Sequence, residues 1–524
     1  APSEELHMKK NHEKATPGYY STAFTNGIKT ELTATHAMAV ERYKFPRSIS
    51  AALWVDFAST FEDVATCQYK RVSDTCIEGY VQAKNVCGHG RYKLYFSLNT
   101  DQPFQLEEQK ETTACLTFGK KVRAVEVRIG LSALSSELAS WECARWEKMD
   151  FAELKSQTGN QWEKQLSAID VKGGKKDDKV IFYTSLYRAY LSPADVSSPD
   201  GAYLGTDGKV YISEDFRYYS NWSLWDTFRT KFPLLVLTEP ARMRDMATSL
   251  IHLYATGKKD WSTGFESTPT VRTEHAVILL LDAYRKGITT LDFRKGYAGM
   301  KEEMERLPMR SPDQKMESAY DLWAMAQIAG IIGEKADSEQ YRQRSVSLFE
   351  EIWKKEFMNV TPAFEVMKNN GLYQGTRWQY RWAAPQYIDK MIEWVGQDSL
   401  RSQLTYFFDH HLYNQGNEPD IHVPYLFNRL GAPEKTQQIV RSLMTEPMIH
   451  KYGGNSEFKT PYLGKAFKND PEGYSPEMDE DDGTMSAWYV FGAMGFYPLL
   501  VGDEYYDLTS PLFDRVLLLS LIHI

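Results

Sequence analysis

Four places in the chain bring side chains able to do proton or metal chemistry next to aromatic rings. The most concentrated is Asp479-Glu480-Asp481-Asp482, which runs straight into the apolar stretch Met485 to Phe496. Four acids in a row usually mark a solvated loop, but here an adjoining helix start confines them, with Asp or Thr as its N-cap. In an extended segment residues i and i+2 share a direction, so Asp479 and Asp481 are expected to form a pair. Two carboxylates, one holding a water and one tuning its neighbour, are what glycosidic hydrolysis requires. The second place, Gly416-Asn417-Glu418-Pro419-Asp420, offers oxygen donors in a loop, a set that suits a hard cation such as calcium. The third, Trp222-Ser-Leu-Trp225-Asp226-Thr-Phe-Arg229, sets a carboxylate and a guanidinium beside indoles that can stack on a sugar. Its plainer reading is an i,i+3 surface pair. The fourth, residues 373–382, packs two Trp, two Tyr and two Arg into ten positions, with Gln374, Arg377, Trp378, Gln379 and Arg381 among them.

The elements that must position these groups change character along the chain. With 524 residues, 42% hydrophobic and 25% charged, the composition is that of a globular protein of several domains. No apolar run approaches a membrane span. A net charge of −9 argues against a nucleic-acid binder. Residues 18–136 read as short strands, with Val125, Val127 and Ile129 on one face, and predict a β-sandwich. All five cysteines fall between 67 and 143 without a tight pair, which argues against zinc and leaves one or two disulfides or buried thiols. Residues 141–169 have helical spacing and predict one connecting helix. Beyond it helices are expected at 240–256, 274–286, 314–332, 338–355, 386–395, 397–412, 433–445 and 484–495, an all-α domain. Several are apolar on more than one side, as an inner helical layer would be.

Taken together, these segments resemble glycoside hydrolase family 92, the calcium-dependent exo-α-mannosidases. The matching strings are Pro17-Gly-Tyr-Tyr-Ser, Phe182-Tyr-Thr-Ser-Leu-Tyr187, Trp225-Asp-Thr-Phe-Arg229, Gly416-Asn-Glu-Pro-Asp420 with Val423-Pro-Tyr-Leu426, and Asp479-Glu-Asp481 with Met485-Ser-Ala-Trp-Tyr489 and Gly495-Phe-Tyr-Pro498. The resemblance implies an N-terminal β-sandwich over 1–140, a connecting helix over 141–172 and an (α/α)6 catalytic barrel over 173–518. Relative to the family, early sandwich segments and the strands after the barrel are absent, so both ends read as truncated. Residues 519–524 read as a sequencing-adapter scar.

Carried over from the family, Asp481 matches the general base and Asp479 its partner. Asn417 and Glu418, with Asp479, match the calcium site. Trp225, Asp226, Arg229, Arg377, Trp378 and Gln379 fall at substrate-binding positions. The family inverts stereochemistry, which implies acid and base carboxyls roughly 6.5–9.5 Å apart. Its substrate would be a mannosylated glycan outside the cytoplasm, so a secreted, periplasmic or cell-surface location is expected. One departure matters. The family's acid is a Glu in a Glu-Gly-x-x-Trp-Gln-Tyr motif, whereas this chain reads Gln374-Gly-Thr-Arg-Trp-Gln-Tyr380. Glutamine cannot protonate an alkoxide. A phosphate leaving group, with a pKa of about 6, departs as an anion without help, and Arg377 and Arg381 are expected to be available to it. The leading expectation is therefore hydrolysis of mannose-1-phosphate diesters. The alternatives are an ordinary exo-α-mannosidase whose acid is Glu418 or Glu480, and a mannose-binding pseudoenzyme.

Overall fold

Alternating burial builds the N-terminal sheets in the computed structural model, which describes residues 7–60, 62–86, 88–270, 272–359, 371–451 and 460–519. Eight antiparallel strands run in the order Lys14–Thr16, Tyr19–Ala23, Lys29–Ala34, Met38–Lys44, Ala124–Ser132, Arg91–Thr100, Cys76–Lys84 and Val64–Arg71. A second sheet holds Ala52–Asp56, Thr113–Phe118 and Phe104–Gln109. Side chains from both sheets, among them Ile77, Leu98, Phe104, Leu116, Val125 and Val127, close one apolar core. Ile129 packs against it from the edge, as the alternation predicted. The expected sandwich is therefore present. Cys67, Cys76 and Cys143 are unbridged thiols, and burial pushes the Cys143 thiol up to about 11. Cys87 lies outside the described residues.

The single connecting helix expected over 141–169 is instead two helices, Ser136–Arg145 and Phe151–Leu166, followed by the strand Ile169–Lys172. The break has a local cause. Asp150 starts the second helix with a capping box, its carboxylate accepting from the Glu153 amide at 2.9 Å while Glu153 accepts from the Asp150 amide at 2.8 Å. The Arg128 guanidinium donates to the carbonyls of Trp146 and Met149, both at 2.8 Å, and so pins the turn. The first helix lies on the sheet at backbone contact, because Gly130 has no Cβ: one placed there would come 1.9 Å from the Ala139 carbonyl oxygen.

The chain divides into two compact units. One takes Ala1–Ser167, Pro193–Trp222 and Thr256–Arg272; the other takes Ala168–Ser192, Ser223–Ala255 and Thr273–Ile524. The division thus differs from the contiguous 1–140, 141–172 and 173–518 read from the sequence, since two excursions of the later chain fold with the sheets. The helical unit carries the expected helices with shifts of a few residues, including Pro240–Thr256, Pro312–Ile331, Pro433–Thr445 and Thr484–Met494. Three of these begin on proline, whose fixed φ suits the first helical turn. Lys176–Ala189 and Phe293–Met304 are helices that the sequence reading did not separate out. Residues 276–283 and all of Thr484–Met494 are buried, which makes them the inner layer. No described helix is long and apolar enough to cross a membrane. Of the adapter-like tail, residues 520–524 lie outside the described residues.

A half-buried carboxyl in the sheet unit generates a pH prediction. Burial raises Glu266 from 4.5 to about 7, against the hydrogen bond it accepts from Ser220 at 3.3 Å. Below pH 4.5 both folded and unfolded chains hold this proton. Between pH 4.5 and 7 only the folded chain does, so stability falls as pH rises and levels off above 7. Glu266→Gln removes that fall. We expect the variant to match wild type at pH 4 and to exceed it by about 3 kcal/mol at pH 8 in urea unfolding.

Candidate active site

Three short segments of the helical unit deliver carboxylates to one place. Asp226 sits in the helix Leu224–Thr227, and its Oδ2 accepts from Ser223 Oγ at 2.7 Å. Glu418 opens the 3-10 turn Glu418–Asp420, where Asn417 caps it by accepting the Glu418 amide at 2.8 Å. Asp481 opens the turn Asp481–Gly483. Ligand oxygens of Asp226, Glu418 and Asp481 all lie within 4.8 Å of one another. Among the described residues this is the cluster able to hold a metal ion.

The electrostatics of the cluster are unfavourable as it stands. Glu418 is fully buried, and neither of its carboxylate oxygens has a hydrogen-bond partner. Burial, then the charges of Asp481, Asp226 and Asp479, push it well above the usual carboxylate range. Asp481 is raised in the same way by burial, then by Asp226 and Asp479. At an effective dielectric of about 20, two like charges ~5 Å apart repel by roughly 3 kcal/mol. A cation between the oxygens would reverse the sign of each of these interactions. All the donors are hard oxygens, the set that calcium takes.

The acid loop is not the extended segment expected. Glu480 is helical (φ −78°, ψ −29°), and Asp481, Asp482 and Gly483 follow in the left-handed region at φ 40°, 59° and 97°. Asp479 and Asp481 still come close enough to perturb each other, but through a turn. The expected cap is also replaced. Glu480 accepts the amides of Gly483 at 2.8 Å and Ser486 at 3.2 Å, so neither Asp nor Thr caps the helix Thr484–Met494. Glu480 is thus engaged in holding the loop. The Asp479 amide donates to the Gly416 carbonyl at 2.8 Å, and the Trp488 indole donates to the Ile421 carbonyl at 2.7 Å. The two loops are thereby tied to each other and to the inner helix.

Gln374 joins this group. Its Oε1 accepts from Asn417 Nδ2 at 3.3 Å, and its backbone is left-handed at φ 49°. Two bonds hold that conformation: the Tyr373 amide donates to Asp313 at 2.8 Å, and the Tyr380 hydroxyl donates to the Tyr373 carbonyl at 2.6 Å. The rest of the motif is structural. Arg377 is paired with Glu356 at 2.6 Å. Arg381 is fully buried and donates to the carbonyls of Phe357 and Met358 and to Gln403. The expected pair of arginines open to an anion is thus corrected: both guanidiniums are spent on the fold. Gln379 closes a capping box on Thr376 at 2.7 Å and bonds Asp420, and Trp378 stacks on Tyr406 at 5.6 Å.

Trp225 and Arg229 stand beside a carboxyl that sequence reasoning missed. Glu317 Oε1 accepts from the Trp225 indole at 2.8 Å and from Arg229 at 3.4 Å. Burial raises Glu317, with His275 and Arg229 opposing. Tyr373 meets the Trp225 ring edge-on at 5.1 Å. Glu317 lies mid-helix in Pro312–Ile331, where a lone acid has no motif around it; its i,i+4 spacing from Asp313, which holds the Tyr373 amide, was the available signal.

Comparison with known proteins places the chain. Residues 138–520 match the glycosyl hydrolase family 92 catalytic domain, and residues 2–132 match that family's N-terminal domain. The chain is similar to the solved family 92 glycosyl hydrolase ccman5, with 26% identity, a TM-score of 0.87, and 98% of this chain and 78% of the other covered. It shares its fold with a family 92 α-mannosidase of Bacteroides thetaiotaomicron at 24% identity, a TM-score of 0.84, and coverage of 98% and 74%. A protein of Arthroderma benhamiae described as an uncharacterized secreted glycosidase is 20% identical over 98% of this chain and 73% of its own length.

The buried repulsion makes a direct prediction. Glu418→Gln keeps the shape and removes the cost of either charging this buried carboxyl or protonating it above its ordinary range. In excess chelator the variant should therefore be more stable than wild type, by ~1–3 kcal/mol in thermal melting.

Proposed function

The chain belongs to glycosyl hydrolase family 92 and is a glycoside hydrolase, and on that premise we propose that it is an inverting, calcium-dependent hydrolase that removes terminal α-mannose from mannose-1-phosphate diesters of glycans. The observation that carries the leaving-group assignment is the bond between Asn417 and Gln374. The Gln374 oxygen is engaged by Asn417, so the amide N–H is the group that would be offered to a leaving oxygen. That amide can bind an oxygen but cannot transfer a proton to it. An alkoxide needs the proton, and general acid catalysis is typically worth ~10² to 10⁴ in rate. A phosphate with a pKa of about 6 does not need it.

Asp481 accepts the proton of the attacking water on the face of the sugar opposite the leaving group. Burial, then the charges of Asp226 and Asp479, keep Asp481 basic enough to do so. Glu418 and Asp226 would hold the calcium beside the Asp481 base, and the two unpartnered Glu418 oxygens fit that role. A calcium held there would supply positive charge to polarise bound oxygens. Trp225, buried and fixed by Glu317, would act by backing the site beside Asp226. Extracellular glycans are the matching substrate, in keeping with the word secreted in the description of the Arthroderma benhamiae relative.

A second reading has one observation of its own. Glu418, buried and held protonated without a metal, could serve as the acid of an ordinary exo-α-mannosidase. Glu480, bonded to two amides, is not suited to that part. Comparing α-mannosyl phosphate with an alkyl α-mannoside separates the readings. Preference for the alkyl mannoside would sink the phosphodiester assignment, and binding without turnover of either would indicate a pseudoenzyme.

Two measurements follow from the roles. Chelation should abolish turnover and lower the melting temperature, and calcium at about 100 times its Kd should restore ~2.7 kcal/mol of stability; full activity in excess chelator overturns the metal assignment. Gln374→Glu places a carboxyl where the amide was. Alkyl mannoside hydrolysis should rise by up to ~10², while phosphodiester hydrolysis stays level or falls through charge repulsion.

A further inference from the structure

The left-handed turn that carries Asp481 is held from beneath by a lysine. Lys231 is fully buried at the start of the helix Lys231–Thr238. Its ammonium donates to the Asp482 carbonyl at 2.5 Å, lies 3.7 Å from Asp482 Oδ2, and donates to Ser192 Oγ. The preceding residue works on the same loop, since the Thr230 hydroxyl donates to the Thr484 carbonyl at 2.7 Å. Asp481 and Asp482 both have positive φ without being glycine, a conformation that persists only where the surroundings over-determine it. Gly483 cannot yield either, because a Cβ there would come 2.8 Å from the Ala189 Cα. Glu480 ties the loop through amides, and Lys231 ties it through a carbonyl and a carboxylate.

We propose that Lys231 is a positioning residue for the reaction: by clamping residue 482 it fixes the turn that aims the Asp481 carboxylate. The inference rests on the base role proposed above for Asp481. It also assigns a reason for a buried lysine beside four consecutive acids. The stretch from Asp226 to Lys231 contributes one carboxylate to the cluster and one cation to the loop that brings another.

The test uses Lys231→Met and Ser192→Ala, each assayed for kcat, KM, melting temperature and amide hydrogen exchange of the segment 479–484. For Lys231→Met we expect kcat to fall at least ~10-fold per folded molecule with KM within about twofold, the pattern of a group misaligned in the transition state. Exchange in 479–484 should accelerate more than elsewhere in the helical unit. Ser192→Ala, which removes a bond from the ammonium without touching the loop, should move kcat and exchange the same way by about threefold. If Lys231→Met does not fold, Ser192→Ala decides alone, and wild-type kcat in it overturns the proposal. A fall in melting temperature with kcat per folded molecule unchanged also overturns it, because a purely structural lysine would give that result. If the wild type cleaves neither mannosyl phosphate nor alkyl mannoside, the functional reading fails and hydrogen exchange alone decides this one: local acceleration supports the clamp, and unchanged exchange overturns it.

Discussion

Three carboxylates whose oxygens lie within 4.8 Å of one another, one of them fully buried, are the constraint around which the helical unit is arranged. Water would separate such charges, and a flexible chain would relax them apart. They stay together because each is fixed by its own local device. Ser223 holds Asp226, Asn417 caps Glu418, and a left-handed turn presents Asp481. The repulsion is therefore set by the frame, and it is available to be relieved by a cation or by a proton. The same arrangement raises Glu418 and Asp481 above the ordinary carboxylate range.

The frame is made of side-chain bonds to backbone more than of helix packing. Trp488 bonds the carbonyl of Ile421, and His422 donates to the carbonyl of Trp382 at 2.7 Å. Glu480 bonds two amides of the acid loop, and Arg381 bonds carbonyls of the segment before the Gln374 turn. Buried polar groups of this kind cost stability unless satisfied, and when satisfied they specify one geometry. The inner helix Thr484–Met494, buried on every side, supplies the apolar mass against which these bonds are shielded from water.

Charge accounts for the placing of the arginines. Arg229 lies over the Trp225 ring at 5.0 Å and bonds Glu317, while Arg377 and Arg381 are spent on Glu356 and on carbonyls. Gln374, bonded to Asn417, therefore has no free guanidinium from residues 377 or 381 beside it. Neutrality at position 374 matters more in such a setting than it would beside a free guanidinium, because a further carboxylate there would add to charges already crowded together.

Strands, most helix bounds and the sites of the acid motifs were legible in the sequence, because each is written in local periodicity or in a short string. Val125 and Val127 alternate, and Pro433 opens its helix, wherever the chain goes next. Asp226, Glu418 and Asp481 are each conspicuous by type. Their meeting is not local: it depends on contacts such as Trp488 with Ile421, 67 residues apart, and Thr230 with Thr484, 254 apart. The same holds for the partners that disarm Arg377 and Arg381, for Glu317 beneath Trp225, and for the turn that replaced an extended acid segment. Residue types and spacing determined which groups could do chemistry. Long-range hydrogen bonds and burial, which no window of sequence contains, decided which of them face one another.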